Sequence, residues 1–212
     1  MVEQVDWGSL ALFMTATLAL NLAPGPDMLY VSTRSLAQGR RAGVISALGI
    51  AAGSVVHTVL IASGLAALLR AMPLAYEIVR FVGAAYLIWL GVQALRGKAG
   101  PTSDMPLDRA SEWTIFRQGA ITNILNPKVA LFFLAFLPQF TNPEHGSVAL
   151  QIVVLGCLFN CSGTLVNIAV AYLAASAGRW LGARGPVERI FRWLTASVFI
   201  GLGLRLALGE RK

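Results

Sequence analysis

Asn21-Leu22-Ala23-Pro24-Gly25-Pro26-Asp27 interrupts an apolar run that begins at Trp7 and resumes over residues 28–36. Proline has no amide hydrogen and collides with the preceding helical turn. The glycine between the two prolines accepts backbone angles that other residues avoid. The stretch therefore predicts a helix broken at residues 24–26. In lipid, a break leaves amides and carbonyls without partners, and it survives only where protein or a wet cavity covers it. Asn21 and Asp27 lie beside this break. A second one, Asn123-Ile124-Leu125-Asn126-Pro127-Lys128, interrupts a run that is otherwise apolar over residues 115–140.

The rest of the chain makes lipid the solvent. Of its 212 residues, 56% are hydrophobic and 13% charged, roughly half the usual charged share, and the mean hydropathy is +0.67. So few polar groups cannot cover a soluble domain. About twenty apolar residues span a bilayer, and six segments qualify: 7–36 with its break, 42–69, 74–95, 115–140 with its break, 147–177 and 191–208. Polar residues 96–111, with Pro101 and Pro106, form the longest loop. The N-terminus carries Glu3 and Asp6 and no Lys or Arg before Trp7, unlike a signal peptide's positive leader, so the first segment is expected to be retained.

The net charge is +7, and the basic residues sit in short clusters between apolar segments, with no basic face for nucleic acid. With the N-terminus outside, the inner loops hold Arg34, Arg40, Arg41, Arg96, Lys98, Arg109, Arg117, Arg179, Arg184, Arg189 and Arg192. The outer regions hold only Arg70, Arg80, Arg205, Arg211 and Lys212. Positive charge favours the cytoplasmic side, so both termini are expected outside.

The two halves echo each other. Asn21-x-x-Pro24 parallels Asn123-x-x-Asn126-Pro127. Ala84, Ile88, Leu90 and Gly91 align with Ala196, Ile200, Leu202 and Gly203. Three helices per half place the halves in the membrane with inverted topology, an architecture that puts substrate at mid-membrane between broken helices. The expected fold is thus an all-α polytopic membrane protein, a single transmembrane domain over residues 1–212. It has six helices in two inverted three-helix repeats, 7–95 and 115–208, joined by a cytoplasmic loop at 96–114, with the first and fourth helices broken.

Intramembrane charges are rare and usually functional. Each break is followed by one, Asp27 in the first and Lys128 in the second. These two are expected to approach each other, or a zwitterionic substrate, across the pseudo-twofold axis. Half-helix N-termini, amide donors and Lys128 suit a carboxylate, whereas Asp27, Asn21 and freed carbonyls suit an ammonium. Bland alternatives stand beside these readings. Asp27 fits an interfacial re-entrant turn, and Lys128 fits snorkelling to the headgroups. His57 shares a helix face with Gly49 and Gly53, so it fits either a proton relay near neutral pH or a packing role. The two glycines fit a close helix contact, within the chain or in a homodimer. Asn160 and Asn167 share a face and either line the cavity or bridge helices. Trp7, Trp113, Trp180 and Trp193 fit interfacial anchors. Cys157 and Cys161, one turn apart with no His or Asp to complete a metal set, read as small apolar packing residues. No metal or cofactor is expected.

Four stretches resemble the LysE/RhtB family of amino-acid exporters: Asn21-Leu-Ala-Pro-Gly-Pro-Asp-Met28, Ser35-Leu-Ala-Gln-Gly-Arg-Arg-Ala-Gly43, Phe116-Arg-Gln-Gly-Ala-Ile-Thr-Asn-Ile-Leu-Asn-Pro-Lys-Val-Ala-Leu-Phe-Phe133 and Leu137-Pro-Gln-Phe140. The resemblance implies a bacterial inner-membrane exporter of small amino acids, driven by the proton gradient. It also implies functional weight for Pro24, Gly25, Pro26 and Asp27 and for Asn126, Pro127 and Lys128. Proton coupling would fall to Asp27 together with His57. The competing classes are a membrane enzyme or electron carrier, a non-transporting scaffold subunit and an exporter of small ions. The first lacks a nucleophile–base pair or a pair of haem-ligating histidines, the second has no need of Asp27 or Lys128, and the third lacks a good donor set.

Overall fold

The computed structural model describes residues 7–65 and 110–177 continuously, with isolated helical positions between residues 74 and 92 and between 193 and 208. The expected third and sixth segments and their mutual alignment fall largely outside the described residues. So do Trp180 and Arg70, Arg80, Arg96, Lys98, Arg109, Arg179, Arg184, Arg189, Arg192, Arg205, Arg211 and Lys212, on which the inside–outside expectation mostly rests.

Every described element is helical. Helix α1 is Trp7–Leu22, α2 is Pro26–Gln38 and α3 is Arg40–Leu60, which runs on in a wider π turn through Leu65. Helix α4 is Glu112–Ile124 and α5 is Pro127–Leu131, which continues in π turns to Phe136 and tighter 3-10 turns to Phe140. A short 3-10 turn, Pro143–His145, leads to α6, Val148–Ala177. Among the described residues, α3 with its extension and α6 are the helices long and apolar enough to cross a membrane singly. The α1–α2 and α4–α5 pairs reach that length only when each is taken as one span, and each pair is bent by 47°. Both breaks read from the sequence are therefore present, and they bend the chain equally.

Local chemistry explains where the elements stop. One residue, Gly39, turns α2 into α3 with φ 85°, a left-handed conformation that glycine adopts without strain. Ser111 caps α4 by accepting the Thr114 amide at 3.3 Å, satisfying one of the orphan donors at the helix start. The irregular winding beyond α5 departs from the continuous helix that the apolar pattern suggests. Pro138 offers no amide to the preceding turn, and the Gln139 side-chain amide instead donates to the Ala135 carbonyl at 2.7 Å.

Helices α3 and α4 touch backbone to backbone. A Cβ on Gly49 would lie 2.2 Å from the Phe116 carbonyl oxygen, and one on Gly53 2.6 Å from that of Ala120. From the other side, a Cβ on Gly119 would lie 2.8 Å from the Ser46 oxygen. Lipid gives helices no hydrophobic reason to associate, so close packing supplies the attraction. The Gly49/Gly53 face is thus filled within the chain, not held open for a second copy. A phenylalanine cluster ties α1, α5 with its extension, and α6 together: ring centroids are 5.4 Å apart for Phe13–Phe140, 5.4 Å for Phe132–Phe159 and 4.9 Å for Phe133–Phe159.

Cys157 and Cys161 are free and exposed, which corrects the expectation that they pack inside. They sit on the outer face of α6, roughly 14 and 20 Å from its start at 1.5 Å per residue, where a spanning helix meets lipid tails. A charged, membrane-impermeant maleimide is therefore expected to leave both thiols unlabelled in intact membranes and to label them in SDS. Labelling without detergent would remove the middle of α6 from the bilayer.

Candidate functional site

The two half-helices α2 and α5 start alike. Each opens on a proline, Pro26 or Pro127, at the position where a missing amide costs nothing. The second residue is Asp27 in α2 and Lys128 in α5. A helix N-terminus carries partial positive charge, which suits Asp27 and opposes Lys128. The Lys128 side chain reaches instead to the negative end of another helix. Its Nζ donates to the carbonyls of Leu20 and Ala23, both at 3.0 Å, so it caps the broken C-terminus of α1. Lys128 is only 6% exposed, and the snorkelling alternative does not describe it. Asn126 caps α5 by accepting the Lys128 amide at 3.1 Å.

Gly25 makes this approach possible. Its backbone is extended, φ −170°, a conformation any residue adopts, so conformational freedom is not the reason for a glycine. Space is: a Cβ there would sit 3.1 Å from Lys128 Nζ and 3.4 Å from Cε.

Asp27 is held from the opposite side. Its Oδ2 accepts from Asn123 Nδ2 at 2.8 Å, and Asn123 lies in the last turn of α4. The Asn123 carbonyl lies 3.2 Å from His57 Nε2, so His57 reaches Asp27 only through Asn123; its ring lies 5.7 Å from that of Phe133. Asp27 and Lys128 do not pair directly. The ion pair among the described residues is Arg41–Glu112 at 2.6 Å, at the surface. Three polar atoms around the breaks are buried without a hydrogen-bond partner: Asp27 Oδ1, Asn123 Oδ1 and Asn126 Nδ2.

Between the breaks lies a cavity of about 20 Å³. Leu20, Asn21, Ala23, Asp27, Met28, Ile50, Ser54, Asn123, Lys128, Val129, Phe159, Asn160, Gly163, Thr164 and Asn167 line it. That volume suits about one water molecule, well short of an amino acid, so the site must widen to admit one. Asn21 Nδ2 donates to Ser162 Oγ at 3.1 Å. Gly163 leaves room for Asn21, since a Cβ there would stand 3.0 Å from Asn21 Oδ1. Asn160 both lines the cavity and bridges helices, donating to the Ala51 carbonyl at 3.2 Å.

Of the residues singled out from the sequence, Asn21, Asp27, Asn123, Lys128, Asn160 and Asn167 meet at this cavity. Gly25, Asn126 and His57 stand behind it through the contacts above. Pro24, Pro26 and Pro127 are exposed; they set the course of the backbone and do not line the cavity. Sequence reasoning missed Ser54, Phe159, Gly163 and Thr164. Gly163 and Thr164 fall between the two asparagines of α6, a signal that was available. Among the described residues no cluster of three or more His, Cys, Asp or Glu is placed to hold a metal.

Comparison with known proteins places these features in a family context. The family model described as LysE type translocator matches residues 18–210. A homoserine/homoserine lactone efflux protein of Salmonella typhimurium is 33% identical over 198 residues, covering 93% of this chain and 94% of that protein. An uncharacterised membrane protein of Vibrio cholerae is 32% identical over 201 residues, covering 95% and 97%. One of Bacillus subtilis is 27% identical over 209 residues, covering 94% and 99%. No solved structure matches the chain.

Proposed function

Since the chain belongs to the LysE type translocator family, and is therefore a membrane transporter and not an enzyme, we propose that it is a proton-driven exporter of small amino acids or their close derivatives. One observation carries the reading. Asp27 and Lys128, at equivalent positions after the two breaks, line one cavity without forming a direct ion pair. Such a pair is suited to a ligand that brings one charge of each sign. The efflux activity in the name of the Salmonella relative supports the same substrate class.

The residues divide the work as follows. An ammonium has three N–H donors, and Lys128 spends two on Leu20 and Ala23, leaving one for a substrate carboxylate. Asp27 Oδ1 and Asn123 Oδ1 have no partners and are the acceptors for the substrate ammonium, with Asn21 beside them. A proton arriving at Asp27 competes with that ammonium, so protonation from outside releases substrate outward and the proton gradient drives export. His57 acts on Asp27 through Asn123. The two bent pairs hinge at their breaks to open the cavity to one side at a time, the rocking expected of inverted repeats. In this proposal the protein lies in a bacterial inner membrane with both termini outside and six helices in two inverted repeats. Its partners are a zwitterionic substrate and lipid, and any homodimer uses a face other than the one α4 fills.

The test is export from bacterial cells loaded with dipeptides, comparing wild type with Asp27→Asn. The asparagine keeps the hydrogen bond from Asn123 and removes the charge. Faster release of one or a few amino acids by wild type, at least tenfold weaker in the variant, is the expected result. Wild-type release no faster than from empty cells, with the protein in the membrane, would exclude export of the compounds tested.

A further inference from the structure

Arg34 is a buried cation that lacks a buried anion. It lies on α2, seven residues after Asp27, which puts the two on one helix face about 10 Å apart along the axis. It is 4% exposed. One guanidinium nitrogen, Nη2, donates to Gln118 Oε1 at 2.7 Å, and the guanidinium carbon lies 5.8 Å from the centre of the Tyr30 ring. Tyr30 is itself engaged, donating to the Ile115 carbonyl at 2.7 Å. The other two nitrogens, Nε and Nη1, are buried and have no hydrogen-bond partner. Among the described residues no carboxylate pairs with Arg34; Glu112, on the neighbouring helix, is taken by Arg41 at the surface.

A guanidinium cannot relieve this by losing its proton. A buried charge without a partner is among the costliest arrangements in a protein, so the two free nitrogens are placed to take an anion. We propose that Arg34 forms a second anion subsite, distinct from the Lys128 site, that takes a carboxylate when α2 and α4 part. Gln118 and Tyr30 hold the guanidinium in place, and its planar array of donors matches the planar acceptor pair of a carboxylate. In the orientation proposed above, Arg34 lies on the cytoplasmic side of the break and receives the substrate carboxylate before Lys128 does. Only this last step, the source of the carboxylate, rests on the export reading.

The experiment is thermal unfolding of the purified full-length protein in neutral detergent, in sodium propionate against sodium chloride at equal ionic strength, with sodium phosphate as a third arm. Propionate is expected to raise the wild-type midpoint by about 3 °C, as a ligand of the folded state does. The propionate shift should fall by at least half in Arg34→Gln and persist at least in part in Lys128→Met. In chloride, Arg34→Gln should unfold no lower than wild type, because an unpaired charge has been removed. If Arg34→Gln does not purify, Arg34→Lys decides: a reduced shift supports the site, and an unchanged shift overturns it. No propionate shift in wild type, an equal shift in Arg34→Gln, or a shift with phosphate alone would each overturn it. An Arg34-dependent shift together with no amino-acid export in cells would leave the anion subsite standing and remove the export reading.

Discussion

Lys128→Met is expected to cut export ten- to a hundredfold and to lower stability by about 2 kcal/mol. The stability term has two parts of opposite sign. Losing the ammonium leaves the Ala23 carbonyl unpaired at the break, at roughly 1–3 kcal/mol for a buried acceptor, and leaves the Leu20 carbonyl with only the Ala23 amide at 3.3 Å. Part of this is offset because a buried cation no longer has to be desolvated. The transport term follows from the lost anchor for the substrate carboxylate: a charge-assisted hydrogen bond contributes roughly 1.5–3 kcal/mol, and each 1.4 kcal/mol is a factor of ten. Dipeptide-loaded cells measure the first effect and thermal unfolding in detergent the second. Full export by Lys128→Met would show that the residue serves only to cap α1.

Gly49→Ala is expected to be the most damaging single methyl group in the described part of the chain, costing about 3 kcal/mol or more. Overpacking in a tight core typically costs roughly 1–3 kcal/mol when side chains can shift. Here the new methyl would meet the Phe116 carbonyl oxygen at 2.2 Å and its carbon at 2.9 Å, and backbone inside a helix cannot step aside alone. All of α4 would have to retreat from α3, carrying Asn123 away from Asp27 and His57. Loss of monodisperse protein, or a fall in unfolding midpoint of more than about 5 °C, is the expected outcome. Cys157→Ala, on the lipid-facing side of α6, serves as the control and should stay within about 0.5 kcal/mol of wild type. Normal stability of Gly49→Ala would mean that α3 and α4 are not in contact as described.

The parts of the fold that depend on local chemistry were legible in the sequence. Pro24, Gly25, Pro26 and Pro127 announce the two breaks because a missing amide is a covalent fact. The α6 segment, expected over 147–177, is Val148–Ala177. The Gly49/Gly53 face was recognised as a close contact, but its partner was not, since a sequence of this kind does not say whether the opposing backbone belongs to the same chain. The site was legible as a set of residues and not as a set of bonds. Asp27 and Lys128 read as a pair of opposite charges, and an expectation of direct contact overlooks the competition for each. The last-turn carbonyls of a broken helix need a donor, and Lys128 is the cation within reach. Asp27 is left to Asn123, whose amide comes from the end of α4. The cysteines were misread for a different reason. In a lipid-solvated helix an apolar residue is equally at home inside or outside, so hydropathy does not assign Cys157 and Cys161 to a face.

On the proposed mechanism, the facing breaks form the translocation site of this chain acting alone. Purified protein reconstituted into liposomes preloaded with radiolabelled homoserine, with a proton gradient imposed across the membrane, tests that claim most directly. The prediction is proton-driven movement of homoserine by wild type that falls at least tenfold in Asp27→Asn, although the variant incorporates equally well. Equal rates in wild type and Asp27→Asn would place the path for substrate and proton somewhere other than between the two breaks.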